Sequence, residues 1–409
     1  MWGIVAPMRD HATDTSPGTP SPETVTLRAL ALMLVRGAVN GGVGPFATVI
    51  LIEAGLAAAW VGPLAAVAAV ATLLTAPAWG RLGDRYGRRR VLTASFLVAV
   101  PVAAGHAAGA LPVVVVAYLG WAAVASAFIP LTDSLVLTRL GGSRSRFSRV
   151  RVGASGAYMV VVVLVGAAVS YTALGWAAPG LIGAGLCLLG TAAVAIRLRG
   201  ELVSGTGIAV RNQIGLIEGV LAGVRRHRWV LAGLAIVFAG ANAPAIFTGP
   251  RVAEVGGSGW EVGLAIAAGV LAELPAFLVL PLLLRLFGGR RLFLAGGLLL
   301  GIAGLLTAVA PTPALLIGAR LLFGFGFAWV VIPSLGAISS AAPPTEHAAS
   351  AALHFATSAA GSLLVALAGL PLVGATGSVA AVLAAAAIAA PVGTAMAMRA
   401  WPAAPTPGR

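Results

Sequence analysis

Lysine is absent from the sequence: all 26 basic residues are arginine. A Walker A loop needs a lysine for nucleotide phosphates, and a pyridoxal enzyme needs one for its Schiff base, so neither is encoded here. Cysteine is nearly absent as well. The single Cys187 lies in an apolar run, which excludes a disulfide within the chain, and five scattered histidines do not suggest a Cys/His metal site. No cofactor or metal is expected. Charge is also scarce, at 9% of residues against roughly 25% in ordinary soluble domains. Nor do catalytic or metal-binding side chains converge at one interface, as a membrane enzyme would require, and the terminal stretches are too short for a signalling domain.

What remains is apolar: 59% of residues are hydrophobic and the mean hydropathy is +0.99. A helix needs about 20 apolar residues to cross the hydrocarbon core. The runs here are continuous over about that length, unlike the alternating segments of about 10 that build barrels. They fall near 28–52, 58–80, 91–110, 112–138, 152–174, 177–198, 229–252, 260–285, 291–310, 313–340, 348–373 and 376–398. The expected fold is an all-α membrane protein with twelve transmembrane helices in two pseudo-symmetric six-helix bundles. Residues 28–198 form the first bundle and 229–398 the second. Between them, 199–228 is a linker in which Ile214–Val224 is apolar enough for an amphipathic helix on the membrane surface. Residues 1–27, with Pro7, Pro17, Pro20 and Pro22 among Ser, Thr and Asp, read as a disordered tail rather than a signal peptide. Residues 399–409 form the second tail.

The net charge of +14 is explained by topology and not by a nucleic-acid partner. With a cytoplasmic N-terminus, the tails, the linker and the turns at 81–90, 139–151 and 285–291 share one side. Only Arg36, Arg251 and Arg320 lie elsewhere. The positive-inside rule then puts both termini in the cytoplasm, with the chain multi-pass in the cell inner membrane.

The densest charge is Gly80-Arg-Leu-Gly-Asp-Arg-Tyr-Gly-Arg-Arg-Arg90, a water-exposed turn between the second and third segments. It has a weaker copy in Arg285-Leu-Phe-Gly-Gly-Arg-Arg-Leu292, with Arg285 opposite Asp84. At the same offset, Trp60-Val61-Gly62 aligns with Glu261-Val262-Gly263. Such copies support two related bundles. Gly80, Asp84, Arg85, Gly87, Arg88 and Arg89, at that topological position, resemble the loop motif of the major facilitator superfamily. The resemblance implies a secondary transporter with a central cavity, and assigns this turn to an inner gate in which Asp84 pairs with nearby arginines or meets a helix N-terminus of the other bundle. Ala272-Glu273-Leu-Pro275 and Pro130-Leu-Thr-Asp133-Ser-Leu further resemble the branch of sugar efflux transporters, lactose permease and nucleoside-proton symporters. The Gly-Pro-rich motif of drug-proton antiporters is missing from the fifth helix, Gly153-Ala-Ser-Gly-Ala-Tyr158.

Ionisable side chains deep in a bilayer cost about 2.5–3.5 kcal/mol each on insertion scales, which makes them functional candidates. Glu273 lies near the midplane and can exchange a proton as a cavity changes sides. Arg320 in the tenth helix is its candidate partner. His354 is a candidate proton relay, with a packing role as the rival reading. Arg36 and Asn40, one turn apart, are candidates for holding an anionic or polyhydroxylated solute, with snorkelling of Arg36 to the inner surface as the rival reading. Asn242 joins them because Pro244 would kink its helix and free carbonyls toward a cavity. Tyr118, Trp121 and Tyr158 are candidate stacking surfaces. Asp133 is expected at the inner gate, paired with Arg85, Arg88 or Arg149. The series Phe323, Phe325, Phe327 and Trp329 has a two-residue period, which spreads around a helix and reads mainly as packing.

The expected function is proton-coupled movement of a small sugar-like or nucleoside-like solute, with efflux of drugs or secondary metabolites as the alternative. The partners are that solute, protons and membrane lipids, with the chain a monomer.

Overall fold

The computed structural model describes residues 22–141, 143–197, 213–340 and 347–401. Residues 1–21 of the expected N-terminal tail, 199–212 of the linker and 402–409 of the C-terminal tail lie outside them; residues 22–27, expected to be disordered, instead form the start of the first helix. The described segments are helical: α1 (Pro22–Gly42), α2 (Ala47–Glu53), α3 (Val61–Tyr86), α4 (Arg88–Gly105), α5 (Leu111–Ala125), α6 (Phe128–Arg139) and α7 (Arg144–Tyr171). They continue with α8 (Ala178–Arg197), α9 (Gln213–Glu254), α10 (Gly259–Val309), α11 (Pro313–Ser340), α12 (His347–Thr376) and α13 (Ala380–Arg399).

Among the described residues, ten helical stretches are long and apolar enough to cross a membrane, α1 with α2 and α5 with α6 each counting as one. The 51-residue α10 is two crossings, because Gly288 breaks it at φ +75°. The 18-residue α4, which opens on Arg88, Arg89 and Arg90, supplies the remaining span. Counted this way, the described helices fit the expected twelve spans.

Local chemistry sets the ends of these helices. Gly87 turns the chain between α3 and α4 at φ +90°, a region that side chains rarely adopt, and Gly288 performs the same turn in the second half. Ser258 and Glu261 form a capping box at the start of α10, with Glu261 accepting from Ser258 N at 2.8 Å. The first span is not continuous: Gly44–Phe46 forms one 3₁₀ turn around Pro45, between α1 and α2. In α9 the non-helical residue is His227, whereas Pro244 stays inside the helix. The break in α9 is therefore at His227, and the expected surface helix is the part of α9 that begins at Gln213 and precedes it.

The halves repeat in detail. Arg89 Nη2 donates to Ala195 O at 2.8 Å, and Arg290 Nη2, at the same offset, donates to Met398 O at 3.4 Å. Each arginine hooks the start of one helix to the end of the last helix in its own bundle.

At the face bearing the arginine-rich turns, each bundle has a separate core. One gathers Met33, Phe96, Phe128 and Leu135, the other Leu234, Phe238, Phe293 and Val330. At the arginine-poor face the cores merge, as Phe46, Ile50 and Val165 pack with Val262 and Leu316, and Val61 with Phe247 and Val365. The closest approaches there are glycine crossings. A Cβ on Gly263 would stand 2.8 Å from Val162 O, joining α10 to α7, and one on Gly62 would stand 3.1 Å from Gly369 Cα, joining α3 to α12. Ser170 Oγ also donates to Ser258 Oγ at 2.9 Å across that boundary. The bundles meet at the arginine-poor end and part toward the other.

Candidate functional site

Where they part, the bundles enclose a cavity of about 560 Å³. The first bundle contributes Arg36, Asn40, Gly44, Pro45, Ser155 and Tyr158. The second contributes Asn242, Thr248, Glu273, Arg320, Phe323 and Phe327. Each set follows helical spacing, as in Arg36, Gly37, Asn40 and Gly44, or Ile266, Val270 and Glu273, so one face of each helix is presented. Six of the candidates read from sequence thus come together: Arg36, Asn40, Tyr158, Asn242, Glu273 and Arg320.

Arg320 is 7% exposed, and its Nε and Nη1 have no hydrogen-bond partner among the described residues. Its guanidinium lies over the ring of Phe323, 4.1 Å from the centroid, and Phe327 stacks behind at 6.0 Å with planes 24° apart. Small residues make room for it. A Cβ on Gly269 would come within 3.0 Å of Arg320 Nη2, and one on Gly324 within 2.9 Å of Glu273 N. Glu273, Arg320 and Tyr158 interact electrostatically. Among the described residues, however, no ion pair joins Glu273 to Arg320. The second bundle therefore presents an unpaired carboxyl and an unpaired guanidinium to the same space.

The first bundle is different. Arg36 Nη1 donates to Asp133 Oδ1 at 2.8 Å, and Asn40 Nδ2 donates to Arg36 O at 3.0 Å. Asp133 thus pairs across α1 and α6 with Arg36, correcting the expected partners Arg85, Arg88 and Arg149. Asn242 Nδ2 donates to Ser358 O at 3.0 Å and Oγ at 3.2 Å, which fixes it to α12 at the cavity wall. Thr248 Oγ1 is buried in that wall without a partner among the described residues.

Three candidates lie elsewhere. His354 is 2% exposed, 2.8 Å from Ser334 Oγ through Nε2 and edge-on to Phe238, in the core of the second bundle and off the cavity wall. Trp121 packs against Phe128 and His106 in the first bundle, and Tyr118 packs with Phe46 and Ile50. Neither aromatic lines the cavity. In the arginine-rich turn Asp84 pairs with Arg88 at 3.1 Å and Arg85 covers Tyr86, so the described contacts of those residues stay within the turn. Gly80 has no neighbour within 4 Å of where a Cβ would stand.

Gly44, Pro45, Thr248, Phe323 and Phe327 line the cavity without having been singled out for it. The phenylalanines were legible as Arg320, Phe323 and Phe327, a set with three- and four-residue spacing. Reading every second position hid that face.

The model of the MFS_1-like family matches residues 29–371. A maltose permease of Geobacillus stearothermophilus is 28% identical over 268 residues, 63% of this chain and 64% of the length of that protein. Among solved structures, the nucleoside transporter NupG matches with a TM-score of 0.72 at 12% identity, covering 92% of this chain and 98% of that one. A bacterial homologue of the iron transporter ferroportin in its inward-facing state gives 0.69 at 17% identity, over 93% and 99%. At those identities the structural likeness is one of fold.

Proposed function

Since the chain belongs to the MFS_1-like family of the major facilitator superfamily, and so is a membrane transport protein rather than an enzyme, we propose that it moves a small organic solute by alternating access. The observation that carries this reading is the cavity between the bundles, whose volume of about 560 Å³ falls within the range of roughly 300–1,000 Å³ for small-molecule sites. Its closure at one face and separate cores at the other describe one of two alternating states.

The solute is sugar-like or nucleoside-like. Asn40, Asn242, Ser155 and Tyr158 offer amides and hydroxyls to a polyhydroxylated molecule, and Phe323 with Phe327 offers a flat face to a ring. The solutes for which the maltose permease and the nucleoside transporter are named agree with that chemistry. The arginine-rich turns face the cytoplasm together with both termini, which makes this the inward-open state. Coupling is to protons, with Glu273 as the exchanging group and Arg320 as the charge that Glu273 and the solute share. Arg36, held by Asp133, orients the first bundle's wall.

The test is thermal stabilisation of purified protein by maltose, other sugars and nucleosides. A member of that panel raises the melting temperature, and Arg320→Ala removes the shift. Stabilisation by none of them, or an equal shift in the variant, would contradict the reading.

A further inference from the structure

At the closed, arginine-poor face a side chain of one bundle caps a helix of the other. Ser170 Oγ, near the end of α7, accepts from Trp260 N at 2.8 Å and donates to Ser258 Oγ at 2.9 Å. Ser258 Oγ in turn donates to the Glu261 carboxylate, an acceptor that sets the direction of the whole chain of bonds. Trp260 N is one of the amides that every helix start leaves without an intrahelical partner. Within its own segment the alternative acceptor is Ser258 Oγ at 3.3 Å, longer than the usual N–H···O range. The nearer cap of α10 therefore comes from the first bundle.

The helix crossing beside it explains how. A Cβ on Gly166 would stand 2.5 Å from Gly259 O, so α7 and the start of α10 meet backbone to backbone, and Ser170 lies one turn past Gly166. Tyr171 lies against Trp260, with ring centroids 6.1 Å apart. The crossing of α3 with α12 serves as an internal comparison. Val373 stands four residues past Gly369, as Ser170 stands four past Gly166, and Ala57 and Trp60 before α3 form no side-chain cap. One seam is latched by hydrogen bonds; the other closes on apolar contact.

We infer, on the basis of the alternating access proposed above, that Ser170 is a positioning residue for transport. It caps α10, the helix that carries Glu273, while the outer face is closed, and releases it when that face opens. The hydroxyl thereby favours the inward-open state, because parting the bundles takes the nearer acceptor from Trp260 N.

The test uses Ile266→Cys, a cavity position packed against the core of the closed face. In right-side-out vesicles a membrane-impermeant maleimide reaches it only when the outer face opens, and the buried Cys187 supplies the background. Adding Ser170→Ala should raise the labelling rate about fivefold, the factor corresponding to one net hydrogen bond of about 1 kcal/mol. Ser170→Thr, which keeps the hydroxyl, should hold the original rate. Labelling of the same cysteine in inside-out vesicles should not rise, and melting temperatures of the variants check folding. An unchanged rate in Ser170→Ala, an equal rise in Ser170→Thr, or a rise in both vesicle orientations would overturn the inference and leave alternating access standing. A cysteine that is never labelled from the outer side would overturn both.

Discussion

In the first six spans Arg36 meets Asp133 at 2.8 Å; in the last six Glu273 and Arg320 face one cavity with no ion pair between them among the described residues. The frames around these groups are alike. Gly87 and Gly288 make the same turn, Arg89 and Arg290 hook the same helix ends, and Gly62 and Gly263 make the crossings at the arginine-poor face. The difference therefore lies in side chains placed on a common scaffold. A guanidinium already matched by a carboxylate contributes shape and a fixed field. One whose Nε and Nη1 are unmatched retains bonds to give to a solute, and the desolvation it carries is relieved when the solute arrives.

The same position in the two halves gives the sharpest stability contrast. Asp133 and Ser334 stand at one offset, the first paired with Arg36 and the second hydrogen-bonded to His354. Asp133→Ala strands a largely buried cation, so it should destabilise the purified protein by about 3 kcal/mol, the low end for broken buried pairs because the site borders a cavity. Next in size are Gly62→Val and Gly263→Val, each overpacking a helix crossing at about 1–3 kcal/mol. Both should part the bundles at the arginine-poor face, seen as longer spin-label distances there. A response from only one would break the equivalence of the halves. The smallest effect is expected from Ser334→Ala, about 1–2 kcal/mol in thermal unfolding, because it removes the hydroxyl that bonds Val330 O, Val331 O and the buried His354 Nε2. If it matched the cost of Asp133→Ala, the two halves would not differ as described.

Much of this frame was legible because the bilayer imposes it. Apolar runs of about 20 residues and arginines gathered on one side follow from the cost of placing polar groups in hydrocarbon. Glu273, Arg320, Arg36 and Asn242 stood out for the same reason, as polar groups within apolar runs. Pairing was harder to read: Arg36 and Asp133 are 97 residues apart, and nothing local to either distinguishes Arg36 from Arg85 or Arg149 as the partner. Helix face was harder still. Trp121 and Tyr118 are ring-bearing like Phe323, yet only the last turns toward the cavity, because the packing of neighbouring helices decides the rotation. The break at Gly44–Phe46 was hidden within a hydrophobic run although it shapes the cavity wall.

In the proposed transport cycle, Glu273 is the group that couples proton movement to the cavity. Its most direct test compares gradient-driven uptake with solute exchange for Glu273→Gln in proteoliposomes, using a solute identified by thermal stabilisation. Loss of uptake driven by a pH gradient, with exchange across the membrane preserved, is the predicted result. Gradient-driven uptake equal to that of the unaltered protein would contradict it.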